Sequence, residues 1–192
     1  MALAYSNPFS ATMNPGTPAP DFSLKGTDGK TYSLSNFLES KILVVIFMCN
    51  HCPYVVAVQG RINALAKAYA RKDMQLIGIN SNDAKNYPED SFEEMKTRAL
   101  EEGYAFPYLF DETQEVAKAY GAVCTPDPYL FERVGKEFKL HYHGRIDDSW
   151  KDESQVKQRD LALAIDAVLA RKLVHSDQKP SMGCSIKWRE KG

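Results

Sequence analysis

No uninterrupted apolar stretch is long enough to cross a membrane: the longest, Ile42 to Cys49, falls far below the ~20 residues a spanning helix needs. Charge of either sign is not in excess. Lys plus Arg total 24 against 25 Asp plus Glu in 192 residues, so the basic surplus or clustered basic patch of a nucleic-acid binder is missing. Neither Gly-x-Gly-x-x-Gly nor Gly-x-x-x-x-Gly-Lys-Ser/Thr occurs, which removes the usual phosphate cradles. Met1 to Asn14 has no basic segment followed by an apolar core and no Arg-rich bias, so the cytoplasm is the expected compartment. Repeats and low-complexity tracts are absent. Cysteine is scarce, with four residues too unevenly spread for a disulfide scaffold.

Two of those four stand together, as Cys49-Asn-His-Cys52, while Cys124 and Cys184 are isolated. In a reducing compartment such a pair serves catalysis or metal binding more often than structure. Its surroundings predict an α/β architecture. Lys41 to Phe47 is a β-branched, non-alternating run that suits a strand covered on both faces. Val55, Val58, Ile62, Leu65 and Tyr69 follow at helical spacing, with Pro53 suited to the first turn, and Met74 to Ile79 is a second buried strand. Strand, cysteine loop, helix and strand make a right-handed βαβ unit.

The remaining elements are read from punctuation. Thr27-Asp-Gly-Lys30 joins Phe22–Leu24 and Thr31–Leu34 into a hairpin. Ser91-Phe-Glu-Glu94 opens a helix over about Ser91–Glu102 that Gly103 closes. Tyr108–Phe110 reads as a strand and Thr113–Tyr120 as a helix ended by Gly121. Pro128–Glu132 and Phe138–Tyr142 form a second hairpin, and Leu161, Ala164, Ile165, Val168 and Leu169 mark a final helix. Residues 1–20, with four prolines, read as an extended lead-in, and 174–192 as a tail without helical period.

A cysteine at a helix start faces unpaired N–H groups and the positive end of the helix dipole, which favour its thiolate. That makes Cys49 the expected nucleophile, with Cys52 one turn into the helix as the resolving thiol. Cys49, His51, Cys52 and Cys124 could also ligate zinc or copper, as in a metal chaperone, but a second paired cluster is missing and no metal is expected. His141 and His143 alternate along a strand, so they should share a face.

Taken together, the buried strand, the Cys-x-x-Cys beginning the next helix, and Thr125-Pro126 before a later strand resemble the thioredoxin fold. The N-terminal hairpin, Pro20-Asp-Phe22 and the helical insertion near 91–102 are similar to its alkyl hydroperoxide reductase and thiol-specific antioxidant branch. Cys49-Asn-His-Cys-Pro-Tyr-Val55, Gly144-Arg-Ile-Asp-Asp148 and Gly183-Cys-Ser-Ile-Lys-Trp188 resemble peroxiredoxin-like members of that family. The resemblance implies one thioredoxin-like domain over residues 1–192, with a central mixed sheet flanked by helices. It implies a thiol–disulfide oxidoreductase without organic cofactor or metal, acting on a protein disulfide or dithiol, a small thiol or a peroxide. It also implies that Pro126 is cis and faces the cysteines, and that Thr125 offers backbone groups to a partner chain.

Departures from the family pattern set further expectations. The acidic residue that thioredoxins bury six positions before the first cysteine is replaced by Leu43, which leaves Glu132 or a water as proton acceptor for Cys52. His51, placed as in disulfide oxidants and isomerases, should lower the Cys49 pKa. The peroxidatic Pro-x-x-x-Thr-x-x-Cys is missing, so a peroxidase is the second reading and redox sensing a third. Arg145 could steady a thiolate or anion from the segment after the hairpin. Cys124 reads as a third redox partner or as a small buried apolar residue, and Cys184 as a thiol that a mobile tail delivers to Cys49 or Cys124, or as an inert one.

Overall fold

The computed structural model describes residues 2–8, 13–175 and 177–189. In chain order its strands are β1 (Leu3–Tyr5), β2 (Ser23–Gly26), β3 (Thr31–Ser33), β4 (Ile42–Phe47), β5 (Met74–Asn80), β6 (Tyr108–Phe110), β7 (Cys124–Thr125), β8 (Asp127–Val134), β9 (Glu137–His143) and β10 (Met182–Ser185). The helices are α1 (Pro53–Tyr69), α2 (Phe92–Glu101), α3 (Glu115–Tyr120) and α4 (Asp160–Leu169). A seven-stranded mixed sheet runs β3-β2-β6-β5-β4-β8-β9, with β4, β5 and β6 parallel and β8 antiparallel to β4.

Every residue of β4 is buried, as its non-alternating sequence demands. Ile42, Val44 and Ile46 face one core with α1 and α4; Leu43, Val45 and Phe47 face the other with α3. The end of β4 therefore sits between two packed layers, and the cysteine loop that follows starts from a fixed point. Ser91 caps α2, its Oγ accepting from the Glu94 N–H at 3.4 Å. Helix α3 starts later than its sequence suggests. Gln114 takes a left-handed conformation (φ 65°), and the buried Asp111 carboxylate instead receives the N–H groups of Val116 and Ala117.

Two expectations fail in β8 and β9. One extra residue, His141, is accommodated between the Leu130–Tyr142 and Phe131–Leu140 pairs, so the alternation reverses there. His141 and His143 are consequently not equivalent: His143 is buried against Asp127, while the half-buried His141 meets Glu132. Glu132 pairs with Ile42 at the opposite end of β4 from the cysteines and is engaged by Lys41 and His141. It cannot serve as the acceptor for Cys52, because the whole length of the strand separates them.

The termini are more organised than an extended lead-in and a loose tail. β10 pairs antiparallel with β1 on one side and β7 on the other, forming a separate three-stranded sheet. The segment after β9 is held from α1, where buried Arg61 meets Asp147 at 2.5 Å and donates to the Ser149 and Trp150 carbonyls. Removing one member of a buried pair strands the other charge. Arg61→Ala is therefore expected to cost ~3–5 kcal/mol in urea unfolding and to expose residues 147–150 to proteolysis.

Candidate active site

The loop from β4 into α1 is shaped from 40 residues downstream. Asp90, fully buried, accepts from the Asn50 N–H through Oδ1 at 2.7 Å, and its Oδ2 accepts from Asn82 Nδ2 at 2.7 Å and lies 2.6 Å from His51 Nδ1. Asn50 also donates to the Glu89 carbonyl and accepts from the Tyr108 hydroxyl. Both residues between the cysteines are thus tied to the 80–90 segment. Asp90 carries no local signature in the sequence, because its role comes from the chain returning to this loop.

Helix α1 begins at Pro53 with Cys52 as its N-cap, so Cys52 is not a turn inside the helix and Cys49 lies outside it. Both sulfurs converge on Thr125, which the cis Thr125-Pro126 bond turns toward them. Cys49 Sγ lies 3.4 Å from Thr125 Oγ1, and Cys52 Sγ lies 3.2 Å from the Thr125 carbonyl oxygen. All four cysteines are buried thiols in this structure.

The hydrogen bond between the two thiols acts on them in opposite directions, lowering Cys52 and raising Cys49. The S–H of Cys49 donates to the Cys52 sulfur, and Cys184 S–H with the Val55 and Cys184 N–H groups adds three more donors; together they outweigh burial and bring the Cys52 pKa down to about 5. The Thr125 carbonyl opposes this, since a thiol donates to it and a thiolate cannot. Cys49 is pushed well above the ordinary thiol value by the bond it gives Cys52, then by burial and by the charge of Asp90. The Thr125 hydroxyl acts in the opposite direction, while the His51 ring is engaged by Asp90.

The Asp90 hydrogen bond raises the His51 pKa against the opposing effect of burial. Asp90→Asn should bring the imidazole titration down toward ~6.5 and perturb the Asn50 amide signal, both measurable by NMR. His51 also stacks on Tyr87, and its Nε2 is buried with no hydrogen-bond partner among the described residues. Donor atoms of Cys49, His51 and Asp90 all lie within 4.8 Å of one another, the set nearest to a metal-ligand arrangement among the described residues.

The other expected residues separate. Cys124 lies in β7, its thiol raised mainly by burial and then by Asp127, so it behaves as a small apolar residue. Arg145 is committed elsewhere than the thiols: its Nε donates to Asp160 at 2.9 Å. It borders, with Pro126, Val58, Tyr5, Trp150 and Met182, a cavity of about 240 Å³ beside the cis-proline. Cys184 does not ride on a mobile tail. It pairs with Thr125 in the small sheet and reaches Cys52.

This arrangement joins a dithiol loop at a helix cap to a cis-proline turn, and the sequence profile of the AhpC/TSA family matches residues 15–141. The chain belongs to the AhpC/TSA family. It is 44% identical to an uncharacterized conserved protein from Geobacillus kaustophilus, with a TM-score of 0.90 over 100% of this chain and 99% of that one. It is 25% identical over 125 residues to the thiol-disulfide oxidoreductase ResA of Geobacillus thermodenitrificans, covering 65% of this chain and 67% of the relative. Chloroplastic peroxiredoxin Q of Populus jackii is 25% identical over 117 residues, covering 60% of this chain but only half of that relative. Solved thioredoxin-like structures share the fold. Family and fold together place the chain among thioredoxin-fold thiol oxidoreductases and peroxidases.

Proposed function

We propose that the protein is a thiol–disulfide oxidoreductase whose Cys49 and Cys52 cycle between dithiol and disulfide in front of Thr125-Pro126. The observation that carries this reading is the approach of both sulfurs to one residue, at 3.4 Å and 3.2 Å from Thr125 oxygens. The resting charge gives Cys52 the first attack. Its thiolate forms a bond to one sulfur of a partner disulfide, and the departing sulfur takes a proton. Cys49 then attacks the Cys52 sulfur, closing the Cys49–Cys52 bond and releasing the second partner thiol. The sequence alone suggests the opposite order, with Cys49 attacking first; what supports attack by Cys52 is its place as the cap of α1 together with the donors around its sulfur. The cavity beside Pro126 offers the partner segment apolar walls from Val58, Ile146, Trp150 and Met182 together with the charged Arg145, Asp147 and Asp148, and a reducing compartment such as the cytoplasm would keep the site available as thiols.

The test is thiol trapping with mass spectrometry across a glutathione redox titration, run beside insulin reduction and hydrogen peroxide consumption. An intramolecular Cys49–Cys52 disulfide at oxidising poise, with insulin reduction lost in Cys52→Ser, is the expected result. Absence of that disulfide at every poise overturns the reading, and fast peroxide consumption with slow insulin reduction replaces it with a peroxidase.

A further inference from the structure

No sulfur of the tail motif Gly183-Cys-Ser-Ile-Lys187 is bonded in the two-cysteine cycle, yet the motif is built into the site. Strand β10 lies along β7 with Cys184 opposite Thr125, the residue that both active-site sulfurs approach. Gly183 is pressed against the same residue: a Cβ there would stand 1.9 Å from the Thr125 carbonyl oxygen. Lys187 anchors the strand's exit, its N–H donating to Asn82 Oδ1 and its carbonyl accepting from Gln114 Nε2 and the Asp83 N–H. Ile186 is buried in the core. The result is that Cys184 and Cys49 both hydrogen-bond to the Cys52 sulfur. Cys52 is shared by two thiols, and the two-cysteine cycle makes and breaks no bond to the second.

We propose that Cys184 is a third redox thiol of this site, forming a disulfide with Cys52 as the alternative to Cys49–Cys52. The proposal rests on Cys52 being redox-active, as proposed above. Two routes reach the same bond. A mixed disulfide between Cys52 and a partner is attacked by the Cys184 sulfur; the Cys52–Cys184 bond forms, the partner leaves as a thiolate, and the Cys184 proton goes to it. Alternatively, Cys184 attacks Cys52 within the Cys49–Cys52 disulfide, and its proton passes to the departing Cys49 sulfur. The second route is an internal exchange with no net oxidation. It holds the oxidising equivalent on Cys52 and Cys184, closes the tail onto the start of α1, and returns Cys49 to the thiol form.

Full-length wild type, Cys49→Ser, Cys184→Ser and the double variant would be equilibrated with reduced and oxidised glutathione, quenched with N-ethylmaleimide, and digested with trypsin without reduction. Cys49 and Cys52 share one tryptic peptide that ends at Arg61, whereas Cys184 lies in a peptide that ends at Lys187. Each disulfide therefore has its own mass signature. The expected result is a linked Cys52–Cys184 peptide in Cys49→Ser that disappears in the double variant, and both disulfides in the wild type. Cys184→Ser should retain only Cys49–Cys52. If Cys52 and Cys184 stay fully alkylated in Cys49→Ser while wild type forms Cys49–Cys52, this proposal fails and the oxidoreductase reading stands. Linkage of Cys52 to Cys124 in place of Cys184 would overturn it as well. If no variant forms any intramolecular disulfide, the oxidoreductase reading fails too. Circular dichroism of each variant separates lost chemistry from lost folding.

Discussion

Titration of the reduced protein, followed by thiolate absorbance near 240 nm, should show a first ionisation at about pH 5, against ~8.5 for a free cysteine. Cys52→Ser should abolish that step. Cys49→Ala should raise it, because the largest contribution is the hydrogen bond from the Cys49 thiol. Near neutral pH the consequence is large: a thiol with its pKa at the free value is a few per cent thiolate, whereas Cys52 would be almost entirely ionised. The linkage to stability has a definite sign. A group whose folded pKa is depressed stabilises the fold above its unfolded value and loses that contribution as pH falls through the folded one. The reduced wild type should therefore gain stability over Cys52→Ser between about pH 5 and ~8.5. A low ionisation that survives in Cys52→Ser and vanishes in Cys49→Ser would return the charge to Cys49.

The second large effect belongs to a residue without a functional group. Gly183→Ala places a methyl 1.9 Å from the Thr125 carbonyl oxygen and 2.6 Å from its carbon. Both are backbone atoms beside a proline, with no flexible side chain to move aside. Either β10 leaves β7 or the Thr125-Pro126 turn shifts, and overpacking of this kind costs ~1–3 kcal/mol or more. Since β10 is the middle strand of its sheet, its displacement also unpairs β1. We expect a lower urea midpoint, cleavage of the tail by trypsin under native conditions, and loss of the depressed Cys52 pKa, because Cys184 donors leave with the strand. Wild-type stability together with unchanged thiol acidity would show that the tail does not shape the site.

How much of this was legible in advance follows the range of the interactions. Strand β4, helix α1 and strand β5 were readable because burial on one or two faces imposes a period on contiguous residues. The turn at Gly29 was readable because its positive φ suits glycine. The Cys-x-x-Cys pair was visible as a motif, and Thr125-Pro126 only through family resemblance. Asp90, which ties His51 and Asn50 together, was invisible because nothing in Pro88-Glu-Asp90 indicates that the segment returns to a loop 40 residues earlier. Glu132 was misplaced for the converse reason: its type was suitable, and only strand register showed it at the wrong end of β4.

The place of the two cysteines relative to α1 marks the boundary most sharply. By itself the sequence determined the α/β layout and a dithiol between a buried strand and a helix. Those follow from composition, spacing and local periodicity. Only the tertiary structure decided that Cys52 rather than Cys49 caps the helix, that Asp90 stands behind His51, and that the tail brings Cys184 to Cys52. Each depends on where a hydrogen-bond donor or a charge arrives from a distant part of the chain, and thiol acidity is set by those few ångströms.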